Sequence, residues 1–134
     1  MKADFSKAFN VIKSYLTERV PELGEVITRW EDPFQVHKNR TIMLPDGHTG
    51  TDSQITFSVV LWVSLAEKTA DAVTQTQLTV MEKIFNAVYG KAPYPVMKMA
   101  VNAADYFDPP PQSPVTGLLR VTVNTVLDYL DDCG

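Results

Sequence analysis

Residues 53–68, SQITFSVVLWVSLAEK, decide how the rest of the chain is read. With a period of two, Ile55, Phe57, Val59, Leu61, Val63 and Leu65 fall on one face, and Thr56, Ser58, Val60, Trp62 and Ser64 on the other. The first face is continuously apolar and demands a core. The second is mixed, but it carries a valine and a tryptophan in mid-strand, where a solvated face would show charge. A strand of this kind belongs to a sheet with one packed face and one face that still needs a cover.

Working outward, the connector AEKTAD leads into a helix from about Ala70 to Tyr89. Leu78, Met81, Phe85 and Val88 form its apolar stripe, widened by Val73, Val80 and Ile84. Gly90, Pro93 and Pro95 stop it. At the start of the chain, Asp4 is placed to cap a helix running to about Arg19, with Phe5, Phe9, Ile12 and Leu16 on one side. Val20-Pro21 ends that helix, and Gly24 allows a turn. Val26, Thr28 and Trp30 suggest a short strand, and Thr41 to Leu44 another, with no pattern that fixes the register between residues 25 and 50. The turn-rich PDGHTGTD follows. Near the end, DYFDPPPQSP (residues 105–114) reads as a stiff loop between Met97 and Gly117. A closing strand from Leu118 to about Tyr129 alternates Leu119, Val121, Val123, Thr125 and Leu127 against more polar partners. The sum is one α+β domain over residues 1–134: an antiparallel or mixed sheet of about four strands, with two main helices packed on one face. On that layout nothing in the chain remains to cover Trp62, and Thr56, Ser58, Val60 and Trp62 become the candidate subunit interface.

Composition agrees with a single globular domain. The chain has 134 residues, 45% hydrophobic and 21% charged. A net charge of −4, with Lys and Arg scattered singly, gives no basic stripe for sequence-specific nucleic-acid binding. Cys133, the one cysteine, excludes an intramolecular disulfide and a thiolate metal cluster. The N-terminal MKADFSKAFN has no signal-like apolar core and no apolar run reaches membrane-spanning length, so synthesis in a reducing cytoplasm, away from the membrane, is expected.

Catalytic chemistry finds little to build on. Asp46, His48 and Asp52 offer metal-ligating atoms, but Pro-Asp-Gly is turn chemistry and the histidine reads as solvated, as does His37. Asp105 with Asp108, and Asp131 with Asp132, are paired carboxylates in a loop and a tail, where solvent screens them. Cys133 sits beside two aspartates that disfavour a thiolate. No nucleophile elbow, phosphate-binding glycine loop, zinc-protease helix or dinucleotide fingerprint occurs. The expectation is therefore a protein without catalytic, metal or cofactor residues, and not an enzyme.

The run ITFSVVLWVSLAEKTADAVTQTQLTVMEKIFNAVYG, followed by a loop and GLLRVTVNTVLDYL, resembles in layout the tail-terminator and minor tail proteins of long-tailed bacteriophages and prophages, the lambda-type terminator among them. The resemblance covers most of the chain and lies in the order of elements, without an invariant signature. It implies an α+β fold and an assembly role: a homo-oligomeric ring, a hexamer in that family, that caps the tail tube, ends its polymerisation and prepares the junction with the head. The implied partners are other copies of the chain, the tail tube protein and a head-completion protein, with the host bacterial cytoplasm and then the virion tail as its locations. It brings no catalytic residue. The alternative from the residues themselves is a small ligand-binding domain or enzyme that uses the sheet face around Trp62.

Overall fold

A computed structural model describes residues 3–33, 38–50, 54–107 and 115–127, with the side chain of Val115 left out. Within these, the order is α1 (Phe5–Arg19), a single 3-10 turn (Pro21–Leu23), β1 (Glu25–Ile27), β2 (Arg40–Gly50), β3 (Ile55–Glu67), α2 (Ala70–Val88), β4 (Val96–Phe107) and β5 (Val115–Leu127). The strands form one mixed sheet in the order β1-β2-β3-β5-β4. Only β1 and β2 run parallel; every other neighbouring pair is antiparallel. The fold is α+β as expected, with five strands rather than about four.

Both helices lie on the face that carries Phe57, Val59, Leu61, Val63 and Leu65, and these residues join Ile12, Leu16, Val80, Ile84, Leu119, Val121 and Val123 in one core. The Asp4 carboxylate accepts the Lys7 amide and Thr69 accepts that of Ala72, so each helix starts on a side-chain cap. Gly24 has φ of 66°, and a β-carbon there would lie 2.2 Å from the Asn39 carbonyl oxygen, so the entry to β1 requires glycine for both conformation and space. Gly117 serves the helix-sheet contact by space alone, since a β-carbon would meet Val73 at 2.2 Å.

Three expectations are corrected. PDGHTG is not a turn but the second half of β2: the pairing with β3 shifts between Pro45 and Gly47, so Asp46 is the extra residue of a bulge. Residues 105–107 are not loop but the end of β4, and Met97 starts no loop either; two register shifts, at Met97 and Asn102, had broken the alternation that marks a strand. The α2 core stripe is rotated from the expected one: Val73, Gln77, Val80, Met81, Ile84, Ala87 and Val88 are buried, whereas Leu78 and Phe85 are exposed.

Candidate functional site

The sheet face opposite the helices has a cover of its own. In the connection from β1 to β2, residues 28–33 fold across the end of that face. Trp30 meets Trp62 edge-on, with ring centres 5.2 Å apart. The backbone carbonyl of Pro33 accepts the buried Ser64 hydroxyl at 2.7 Å, and Glu31 bonds to Arg29 and to Arg40, whose side chain is nearly buried. This strap corrects the expectation that nothing within the chain covers Trp62. Ile42 and Leu118, in register with Trp62 and Ser64, are fully buried although they sit on the open face.

From the other side, β5 and β4 supply a guanidinium and a ring. Arg120 pairs in register with Trp62, and its guanidinium carbon lies 5.1 Å from the Trp62 ring centre and 5.4 Å from that of Phe107. Phe107 stacks on Trp62 at 6.3 Å. Asp105, opposite Arg120 in β4, accepts from Nε at 3.2 Å and Nη2 at 2.9 Å, both on Oδ2. Each cation–π contact of this kind is worth about 0.5–1 kcal/mol at a partly exposed site. Trp62 therefore sits half-buried in a set of Trp30, Phe107 and Arg120, while Trp30 itself remains 56% exposed.

The four interface candidates do share this face. Thr56 and Trp62 are half-buried, and Ser58 donates to the Asn124 side-chain oxygen at 2.6 Å. Val60, only 9% exposed, offers almost no surface to a partner. Trp30, Phe107 and Arg120 were not anticipated at the site; the aromatic pair and the arginine were visible as residue types, but their meeting depends on pairings between distant strands. Electrostatics acts at the strap: burial raises the Glu31 pKa, but Arg29 and then Arg40 more than offset it, holding the carboxyl below its ordinary value.

A second surface lies along the flank where α2 overhangs β4. Leu78, Met81, Glu82, Phe85, Asn86 and Tyr106 line an open groove of about 320 Å³. The Phe85 and Tyr89 rings lie 4.6 Å apart, and the Tyr89 hydroxyl accepts the Val101 backbone N–H at 3.2 Å on the free side of β4.

His48 lies within β2 rather than in a turn; it is exposed, as expected, and its ring lies tilted 4.8 Å from that of Phe5 at the far end of the sheet, in register with Phe57. Asp105 is bound to Arg120, and its suggested partner Asp108 lies outside the described residues, as do His37, Asp52, Asp131, Asp132, Cys133 and most of the proline-rich stretch. Among the described residues no three His, Cys, Asp or Glu side chains are grouped to hold a metal, and no helix is long and apolar enough to cross a membrane. No protein-family model matches the chain, and no curated protein shows significant similarity to it.

Proposed function

We propose that this chain is a structural subunit of a phage or prophage tail that assembles with copies of itself into a ring, caps the tail tube and so ends its growth. The observation that carries the proposal is the composition of the open sheet face: an exposed Trp30 over a half-buried Trp62, with Phe107 and Arg120 alongside. Tryptophan and arginine in one well-packed patch are the residues that dominate binding energy at protein interfaces. A ring contact is heterologous, one patch meeting a different one, and the apolar flank of α2 and β4 supplies a different patch on the same molecule. The order of elements resembles the terminator family, and that resemblance selects tail assembly from among the assembly roles.

The ligand-binding reading draws less support. Polar groups on the open face bond to each other, Ser58 to Asn124 and Asp105 to Arg120, instead of converging on an opening. Growing tail tubes in the presence of the purified chain tests the proposal. We expect tubes of capped, narrower length distribution, with Trp62→Asp leaving growth uncontrolled. Tubes that neither bind the chain nor change length would contradict it.

A further inference from the structure

Among the described residues, one long edge of the sheet is free. β4 pairs only with β5, and its open side is bordered by the exposed side chains of Met97, Tyr106, Phe85 and Tyr89. Such an edge is a template for another strand, and its sequence, VMKMAVNAADYF, contains one base and one acid, Lys98 and Asp105. These are an odd number of positions apart, so a regular strand would put them on opposite faces. The bulge at Asn102 cancels that: Lys98 lies in register with Val126 and Asp105 with Arg120, both on the face that carries Trp62.

This geometry makes β4 complementary to itself. Laid antiparallel against a second copy about a two-fold axis between Val101 and Asn102, it sets Lys98 opposite Asp105 twice, on one face. Met99 then meets Ala104, and Ala100 meets Ala103, each pair matched in face. Because both strands carry the extra residue at the axis, the register holds on either side of it. Lys98 has no ion-pair partner among the described residues, and both Arg120 contacts to Asp105 fall on Oδ2, which leaves Oδ1 for the incoming ammonium. Tyr89, whose hydroxyl holds the Val101 N–H, stands beside the axis with Phe85, so the aromatic pairs of the two copies would close over the joint.

We propose that a second copy of this chain docks on the free edge by β4–β4 pairing, doubling the five-stranded sheet, with Tyr89 releasing the Val101 amide to the new strand. The contact is isologous and closes on two copies; it uses the same α2–β4 flank as the heterologous ring contact, so the two compete for one surface, and it does not rest on the tail reading.

Light scattering of the full chain over a concentration series, with thermal melts as a check on folding, tests it through charge exchange. Lys98→Glu and Asp105→Lys each create two like-charge pairs and are expected to weaken the dimer by at least about tenfold. The double variant restores opposite charges and should recover most of the affinity. Tyr89→Phe removes the competitor for the Val101 amide and should tighten the dimer. A chain monomeric at every concentration, single reversals without effect, or a folded double variant that does not recover would overturn the proposal. Rings that persist through both reversals with no charge-sensitive dimer would overturn it and leave the ring reading standing, whereas charge-sensitive dimers without rings would do the reverse.

Discussion

Single residues carry unequal weight in this fold. Gln77 is a buried polar side chain within the apolar stripe of α2, and its amide nitrogen donates to the backbone carbonyls of Phe107 at 3.1 Å and Leu118 at 3.0 Å. It ties the helix to the end of the β4–β5 pair. Gln77→Leu keeps the volume but removes both of these bonds, and we expect a loss of about 1–3 kcal/mol in chemical denaturation. At Glu31 the sign of the pH effect follows from the lowered pKa. Its contribution is present above the ordinary glutamate value of about 4.3 and is lost as pH falls through the lower folded value. Tryptophan emission should therefore report loosening of the strap on acidification below that range. In Glu31→Gln the same acid step should be absent; an unchanged step would assign it to another carboxylate.

Secondary-structure elements differ in how much of them the sequence reveals. β3 and β5 alternate without interruption, so their faces are legible residue by residue. β4 is not, because two bulges break its period. The second half of β2 hides for a related reason: Pro45, Asp46 and Gly47 are turn residues, and the bulge uses the same backbone freedom. In α2 the apolar stripe is wider than the core it meets, so the pattern alone could not choose between Leu78 and Gln77. That surplus has a testable consequence. Leu78 and Phe85 are about half exposed, so Leu78→Lys and Phe85→Lys should change stability by less than about 0.5 kcal/mol, measured by thermal unfolding, while weakening any association along the flank. The strap at residues 28–33 is the least legible element of all. Thr28 and Trp30 read as part of a short strand that in fact ends at Ile27, and only the pairing of distant strands shows that Trp30 has Trp62 to rest on. Trp30→Ala should expose Trp62 and raise its quenching by acrylamide; quenching equal to that of the intact chain would mean the strap does not shield it.

At the scale of the molecule, the domain presents two unlike surfaces on either side of a closed core. The open face concentrates Trp30, Trp62, Phe107 and Arg120, and the flank concentrates Leu78, Phe85, Tyr89 and Tyr106. Unlike surfaces on one subunit are what a closed ring requires, since each copy must offer one to its neighbour and accept the other. The intrachain cover lowers the area that Trp62 itself can lend to such a contact, and shifts the expected anchor toward Trp30. The most direct measurement is electron microscopy of the purified chain with and without tail tubes, paired with its mass in solution. We expect closed rings of about six subunits, free or seated on tube ends, and their loss in Trp62→Asp and Trp30→Asp. A chain that forms no ring under either condition and leaves tube ends bare would contradict the assembly role.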